Sequence, residues 1–267
     1  MDVLTFNLNN PSRERAERQL WYLASRPEHV LVLTETAASA GCDFLAQQFT
    51  AAGCEVAFPR PGKGERGVMV VSRLATRPGP VEVGYLPHRC VSVTVDTDEG
   101  PLDVTGLYVP SRDATEAKTL RKQTFLDACS ASIPQGWGVP LRLVIGDFNI
   151  LEPTHVPRYR FFQPFEYGFY EWLRAAGYQD AFRTLHPEAL EYSWVGRTGD
   201  GYRYDHAHAS QALATALHAC TYVHDVRTSE DRLTDHSALS VSLGVRPEAP
   251  LEVTIPERAA DLAPALF

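Results

Sequence analysis

Short apolar runs of strand length recur along this chain, and many of them end in a polar side chain. The run 143–145 leads into Gly-Asp-Phe-Asn, and the segment 233–238 reads Leu-Thr-Asp-His-Ser-Ala. Other runs end in the same way, with the polar residues Asn7, Glu35, Tyr108 and Asp205. Apolar runs of this length are typical of buried strands, in which polar side chains are rare. The pattern predicts a sheet-rich core that presents polar residues at the ends of its strands.

Strand patterns alternate with helical patterns over most of the chain. An amphipathic helix is predicted near 12–25, where Ala16, Leu20 and Leu23 share one face. Further helices are predicted at 38–52, 115–132 and 166–176. Strands are predicted at 2–7, 30–35, 54–58, 66–72, 89–96, 101–109, 141–147, 191–195, 203–209, 219–223 and 237–245. Consecutive strands joined by Gly and Pro turns favour antiparallel neighbours, so we expect an α/β protein with mixed sheets.

The length of the chain fits one large domain. A chain of 267 residues can bury a substantial core without a second domain. We predict one domain over residues 1–246, followed by a peripheral tail at 247–267. The sequence does not open on a basic region followed by a long apolar segment, and no stretch approaches the roughly 18 apolar residues of a membrane span. We therefore expect a cytoplasmic protein with no membrane contact and no obligate protein partner.

The cysteines are odd in number and widely spaced. Five are present, at positions 42, 54, 90, 129 and 220. This spacing argues against a disulfide framework and against a Cys-x-x-Cys metal site. We expect reduced thiols, most of them buried.

The formal net charge is -8, which is unfavourable for a protein that holds nucleic acid on a general basic surface. Any contact with a polyanion must therefore be local. The candidates are Arg60, Lys63, Arg66, Arg112, Lys118, Arg121, Lys122, Arg158 and Arg160. The alternative interpretation is that these residues are ordinary solvated charges.

The polar strand ends, taken in order, resemble the endonuclease/exonuclease/phosphatase superfamily. Within it, the chain is most similar to the exonuclease III and abasic-site endonuclease branch. The segments that carry this likeness are Gly146-Asp147-Phe148-Asn149, Asp180-Ala181-Phe182-Arg183, Tyr192-Ser193-Trp194, Gly201-Tyr202-Arg203-Tyr204-Asp205 and Thr234-Asp235-His236-Ser237. The resemblance implies a four-layer αββα sandwich of two mixed β-sheets flanked by helices.

The residue types at the strand ends suit hydrolysis at phosphorus, which needs a cation, a positioned water and stabilised phosphoryl oxygens. Mg²⁺ prefers oxygen ligands, and Mn²⁺ is the expected substitute. The resemblance implies that Asn7, Glu35 and Asp235 are the metal ligands. Two alternatives stay open, namely that Asn7 caps a turn and that Glu35 merely lies beside a helix N-terminus.

Five further side chains are candidates for catalytic roles. Asp147 can accept a proton from the attacking water while Asn149 orients that water. His236 can donate to or polarise a phosphoryl oxygen, with Asp205 fixing the tautomer at its other ring nitrogen. The resemblance places Tyr108 beside the phosphate.

Several positions bear on substrate choice. Trp194 and Tyr202 can stack on a base or line a pocket for a sugar that lacks its base, and they can equally be core aromatics. Ser111 stands where many members of the resembled family carry Asn or Gln. The loop 154–165 contains four aromatic residues and has no obvious counterpart in the exonuclease III branch.

His206 and His208 alternate on a predicted strand, so both imidazoles should lie on one face. Zinc sites use such pairs, but no third soft ligand lies nearby in the sequence. The sequence therefore does not predict a zinc site here.

We predict a Mg²⁺-dependent phosphodiesterase that hydrolyses nucleic acid, with DNA as the first expectation. Its reaction would be 3′-end trimming, incision at abasic sites to leave a 3′-hydroxyl, or both, as in DNA repair. The alternative is a phosphoesterase for a small-molecule or lipid-headgroup phosphate, which the acidic charge favours. A non-catalytic binding protein is disfavoured because the sequence keeps every member of the candidate set, Glu35, Asp147, Asn149, Asp205 and His236.

Overall fold

The structure is a computed structural model that describes residues 1–256. Its strands are β1 (Asp2–Asn7), β2 (Val30–Thr36), β3 (Glu55–Ala57), β4 (Gly67–Ser72), β5 (Thr76–Pro78), β6 (Cys90–Thr97), β7 (Gly100–Tyr108), β8 (Leu141–Asp147), β9 (Tyr178–Asp180), β10 (Trp194–Val195), β11 (Gly201–Tyr202), β12 (Asp205–Ser210), β13 (Leu217–Val223) and β14 (Ala238–Leu243). Its helices are α1 (Arg13–Ser25), α2 (Ala40–Ala51), α3 (Glu116–Ser132), α4 (Pro164–Ala175), α5 (Ala181–Leu185), α6 (Gln211–Ala214) and α7 (Asp225–Thr228).

Two mixed six-stranded sheets pack face to face. The first has the order β13-β14-β1-β2-β4-β3 and the second β5-β6-β7-β8-β12-β9, while β10 and β11 form a separate two-stranded ribbon. Residues of α1 and α2 pack on the outer face of the first sheet, and residues of α3 and α4 pack on the outer face of the second. The predicted four-layer αββα sandwich is therefore confirmed.

The two-residue period of the strands assigns side chains to the layers. On β2, Val30 and Val32 face the core between the sheets, whereas Leu31 and Leu33 face the core beneath α1 and α2. Both faces of this strand are thus covered, which is why its sequence is a continuous apolar run rather than an alternating one. Gly106 lies where the sheets approach closely, because an added Cβ would meet Val32 Cγ1 at 2.7 Å.

Two parallel crossovers position the strand ends. β1 pairs with β2 in parallel after α1, and β7 pairs with β8 in parallel after α3. The carboxyl ends of paired parallel strands lie at the same edge of their sheet, which is where open α/β sheets bind ligands. The polar residues that end these four strands are therefore brought to neighbouring edges of the two sheets.

The structure differs from the sequence prediction mainly in short elements. Strands β5, β9 and β11 were not predicted, and the predicted strand 191–195 is only two residues long. Runs of two or three residues are too short to show a hydrophobic period. The long helices and the central strands lie within a few residues of their predicted positions.

Residues 247–256, the described part of the predicted tail, hydrogen-bond with three separate loops and strands. Glu248 N donates to Asp96 O, Leu251 N to Arg73 O and Thr254 N to Ala52 O. Residues 257–267 of the predicted tail lie outside the described residues. Within residues 1–256, no helix is long and apolar enough to cross a membrane. All five cysteines are buried and unpaired, as predicted.

Candidate active site

The two crossovers place four predicted site residues at strand ends. Asn7 ends β1, Glu35 lies near the end of β2, and Tyr108 is paired in register with Asp147 at the ends of β7 and β8. A bond across the two sheets joins them, because Asn7 Nδ2 donates to Asp147 Oδ2 at 3.0 Å. A second bond runs from the Tyr108 hydroxyl to Glu35 Oε1 at 3.1 Å.

The backbone is locally unusual at this edge. Glu35 has φ 52 and Asn149 has φ 49, both in the left-handed region that residues with a Cβ rarely adopt. Gly146 has φ 149, and an added Cβ would lie 2.0 Å from Leu107 O. Such conformations cluster at functional sites, where the surrounding structure holds them in place.

Asp147 is completely buried and is held from two sides. Its Oδ1 accepts from Asn149 N at 3.0 Å, in addition to the Asn7 contact on Oδ2. Burial raises the pKa of Asp147 well above its usual range, and the nearby carboxylate of Asp205 raises it further although His236 opposes the rise. A carboxylate whose pKa is raised is a stronger base than an ordinary carboxylate, which suits it to accept a proton at neutral pH.

His236 and Asp205 form a buried pair. His236 Nδ1 lies 2.8 Å from Asp205 Oδ2, which leaves Nε2 as the other ring nitrogen available to a ligand. Burial by itself lowers the pKa of His236, but the carboxylates of Asp205 and Asp147 outweigh it and raise that pKa to about 10. His236 is therefore an imidazolium at neutral pH and can donate to an anionic oxygen.

Asp205 is positioned by the strand paired with it and by two backbone hydrogen bonds to other segments. It lies opposite Asp147 in the antiparallel pairing of β12 with β8. Its backbone N–H donates to Ser193 Oγ at 3.1 Å, and its carbonyl accepts from the Tyr222 hydroxyl at 2.6 Å. Asp205 Oδ1 is buried and has no hydrogen-bond partner within residues 1–256.

Asp235 lies at the rim of the site. Its Oδ1 accepts from Asn9 Nδ2 at 2.8 Å, and its Oδ2 accepts from Trp194 Nε1 at 3.2 Å. Asn9 also reaches the neighbouring strand end, because its backbone N–H donates to Asn7 Oδ1 at 2.8 Å. The sequence interpretation did not single out Asn9 or Ser193 as positioning residues, since their roles depend on contacts with distant segments.

The donor set can be compared with the needs of Mg²⁺. Asn7, Glu35 and Asp235 offer only oxygen atoms to a cation, and Glu35 and Asp235 are partly accessible, which fits a hard divalent ion that keeps some of its water. Ligand atoms of Asp147, Asp205 and His236 all lie within 4.8 Å of one another. Together with the unpartnered Asp205 Oδ1, this crowding of carboxylates fits a site that receives a cation.

A buried ion cluster supports the Asn149 loop. Lys122 Nζ donates to Asn149 O at 2.5 Å and to Glu166 Oε1 at 2.6 Å, and Arg112 Nη2 donates to Glu166 Oε2 at 2.6 Å. All three charged side chains are at most 1% exposed. The hypothesis that Arg112 and Lys122 contact a polyanion at the surface is therefore wrong, because each is buried and paired with Glu166.

Three of the other seven predicted basic contacts are ion-paired. Arg60 binds Asp43 through two bonds, Lys118 binds Asp113, and Arg121 pairs with Glu65. Ser111 is exposed and has no hydrogen bond within the part of the chain that the structure describes.

A basic groove that the sequence interpretation missed lies beside the site. A cavity of about 660 Å³ is lined by Asp235 and Trp194 together with the three arginines Arg15, Arg197 and Arg232. Arg15 is engaged, because its Nη2 donates to the carbonyls of Asn9 and Asn10. Arg197 has no hydrogen bond or ion pair within residues 1–256, and Arg232 makes only one, from its Nε to Thr234 O.

An aromatic stack flanks His236. The Tyr204 ring centroid lies 6.4 Å from the His236 ring and 5.2 Å from the Tyr202 ring, which in turn stacks on Tyr159 at 4.3 Å. Trp194 packs on Tyr202 at 5.4 Å. Tyr159 belongs to the aromatic loop 154–165, so this loop packs against the stack through Tyr202.

Solved structures share this fold. The 3′ phosphatase NExo from Neisseria bound to a product DNA hairpin is 23% identical, with a TM-score of 0.77 over 91% of this chain and 99% of that chain. The 3′-5′ exonuclease NExo from Neisseria meningitidis is 24% identical, with a TM-score of 0.76 and the same coverage. An AP endonuclease from Archaeoglobus fulgidus is 22% identical, with a TM-score of 0.75 over 91% and 99% of the two chains.

No family model and no curated protein matches the sequence. The structural likeness nevertheless extends over nearly the whole length of each of these enzymes, so both sheets and the site edge are included in the comparison. The chain has the fold of this group of exonucleases and AP endonucleases.

Proposed function

We propose that this protein is a Mg²⁺-dependent phosphodiesterase that hydrolyses DNA by trimming 3′ ends, by incising abasic sites, or both. The observation that carries the proposal is the convergence of Asp147, Asp205 and His236, whose ligand atoms lie within 4.8 Å of one another at the ends of sheet strands. The solved structures with this fold include a 3′-5′ exonuclease and an AP endonuclease, which supports DNA as the substrate.

In this proposal Asp147 is the general base. Its raised pKa and full burial suit proton transfer from a water, and Asn149 would orient that water from its strained backbone position. Asn7 fixes the Asp147 carboxylate through the 3.0 Å bond to Oδ2. The geometry of the base is thereby set before substrate binds.

His236 would stabilise the charge that develops on the phosphoryl oxygens. Asp205 holds Nδ1, so the Nε2 proton is left to donate to the phosphate. Tyr108 would lie beside the phosphate, as the resemblance implies, and its hydroxyl donates to Glu35.

Mg²⁺ held by Asn7, Glu35 and Asp235 would neutralise charge on the phosphoryl group. Trp194 links this ligand set to the aromatic wall, because its indole N–H donates to Asp235. A base or sugar that stacks on the wall would therefore lie beside the predicted metal ligands.

A phosphoesterase for small molecules is the second candidate. The net charge of -8 favours it, because such a surface repels long polyanions. The groove lined by Arg15, Arg197 and Arg232 favours DNA instead, because it places positive charge beside the site within an acidic protein.

The cytoplasmic location expected from the sequence stays a prediction.

The proposed function is tested with one labelled DNA duplex that carries both an internal abasic site and a recessed 3′ end. We expect cleavage with Mg²⁺ and none with a chelator, and the product lengths separate nicking from end trimming. Asp147→Asn protein purified in the same way controls for contaminating nucleases. If the wild type cuts neither feature but hydrolyses a small phosphate ester, the DNA assignment fails and the second candidate replaces it.

The groove arginines provide a separate prediction. Replacing both Arg197 and Arg232 by alanine should raise the KM for duplex DNA about tenfold and reduce the slope of log KM against log salt by about one per arginine, with kcat little changed. Arg77→Ala is the matched control, because Arg77 lies on the edge strand β5 and pairs with Asp96. An unchanged KM and salt slope in the double variant would remove the groove from substrate binding.

A further inference from the structure

A second cluster of metal-binding side chains lies outside the candidate active site. His206 and His208 alternate on β12, and His208 is paired in register with Asp180 on β9. Ligand atoms of these three residues all lie within 4.8 Å of one another. The third ligand that the sequence did not show is thus supplied by the neighbouring strand.

The two imidazoles are buried without partners for most of their nitrogens. His206 is 0% and His208 is 1% exposed. His208 has no hydrogen bond on either ring nitrogen, and His206 has none on Nδ1, within the described residues. A buried polar group left without a partner destabilises the folded state, so two such rings on one face require an explanation.

The orientation of His206 indicates what is missing. Its Nε2 lies 3.1 Å from Ile150 O, so this nitrogen is positioned to donate to the carbonyl and Nδ1 is the nitrogen left for another partner. Its Nδ1 faces Asp180 Oδ2 at 3.6 Å, which is too long for a hydrogen bond. Two ligands on a tetrahedral zinc ion, each about 2.0 to 2.1 Å from the metal, are about 3.4 Å apart, close to this separation.

We propose that Asp180, His206 and His208 bind a structural Zn²⁺ ion. Two imidazoles and one carboxylate form a ligand set that zinc uses, and one further position is left for a fourth ligand. The rings of Phe148 and Tyr170 cover His208, with centroids at 5.7 and 5.0 Å, which shields the ion from solvent.

The carboxylate of Asp180 already has partners with which the ion must compete. Its Oδ1 accepts from Arg183 N at 2.9 Å, and its Oδ2 accepts from the Tyr170 hydroxyl at 2.8 Å and from Arg203 Nη2 at 2.7 Å. Arg203 also binds Glu152 through Nε and Nη2, at 3.1 and 2.7 Å. Glu152 also binds Arg183 through both of its oxygens, so Arg203 keeps a carboxylate partner, shared with Arg183, when Asp180 turns an oxygen to zinc.

The ion would stabilise the strand that begins at the active site. β12 starts with Asp205, the partner of His236, and zinc would join β12 to the edge strand β9. Binding to the folded state alone raises the unfolding temperature by mass action. The role is structural, and it stands apart from the reaction proposed above.

The test measures the metal content and thermal unfolding of untagged full-length protein. After dialysis against metal-free buffer, we expect about one zinc per chain, and stripping with a strong chelator should lower the unfolding temperature. Adding Zn²⁺ should restore that temperature, whereas Mg²⁺ should not. A wild type that retains no zinc, and whose unfolding temperature responds to neither chelator nor Zn²⁺, overturns the proposal.

Two variants locate the ion. His208→Phe should lose the zinc and the zinc-dependent rise in unfolding temperature. If His208 is instead an unpartnered core residue that binds no metal, the apolar phenylalanine ring should raise the unfolding temperature. Asp147→Asn, in the candidate active site, should keep the zinc. If Asp147→Asn loses the ion and His208→Phe keeps it, the zinc belongs to the active site and the proposal is wrong.

Discussion

Replacing His236 by alanine is expected to lower the rate of DNA hydrolysis by about three orders of magnitude, within the range by which a positioned proton donor or acceptor contributes to rate. Asp205 holds Nδ1 at 2.8 Å, so the ring presents Nε2 to the substrate in one orientation. The carboxylates around it keep the ring cationic at neutral pH, with a pKa of about 10. Alanine removes both the donor and the charge, so the loss should appear in single-turnover cleavage at saturating protein.

The controls separate catalysis from folding. Alanine leaves the Asp205 carboxylate buried without its partner, which should lower the free energy of unfolding by about 3 kcal/mol in a urea titration. His236→Asn keeps an amide near Asp205 but cannot reach the phosphate, so it should lose as much activity with a smaller loss of stability. His218→Ala, at an exposed position, should change neither quantity. A rate within threefold of wild type for His236→Ala would exclude this residue from the mechanism.

The fold was predictable from the sequence where the hydrophobic pattern is long. Continuous apolar runs such as 30–33 indicate strands covered on both faces, and such strands require helices on both sides of the sheet pair. The edge strand β9 was not predictable in this way, because three residues carry no period. Its absence from the prediction also hid the position of Asp180 beside His208.

The candidate site was predictable to the extent that its residues end parallel strands. Asn7, Tyr108 and Asp147 follow from that rule, because the carboxyl ends of paired strands meet at one edge. The basic groove does not follow, since Arg15, Arg197 and Arg232 come from three separate segments. The assignment of Lys122 to the surface failed for the same reason, because its partner Glu166 lies on a different helix.

Asp147→Asn is expected to abolish hydrolysis and, at the same time, to raise the stability of the metal-free protein. Asp147 is completely buried, and burial together with the carboxylates of Asp205 and Glu35 raises its pKa well above the usual range. A group whose pKa is higher in the folded state than in the unfolded state stabilises the fold at low pH. This contribution is lost as the pH rises from the unfolded-state pKa through the folded-state pKa, so ionised Asp147 lowers the free energy of unfolding at neutral pH. Asparagine has nearly the same shape without this charge.

The measurement compares turnover on the 3′-recessed duplex with unfolding temperature in chelator-treated buffer at neutral pH. Turnover should fall by at least about three orders of magnitude, because the amide cannot accept a proton from water. The unfolding temperature should rise, because the cost of burying the Asp147 carboxylate and its repulsion from Asp205 and Glu35 are removed, and together they outweigh the lost attraction to His236. The amide has only one oxygen, so it keeps the bond from Asn149 N or the bond from Asn7 Nδ2 but not both, and the lost bond offsets part of the gain in stability. Lower stability with full activity would contradict both halves of the argument, whereas lower activity with higher stability identifies Asp147 as a residue kept for catalysis at the expense of stability.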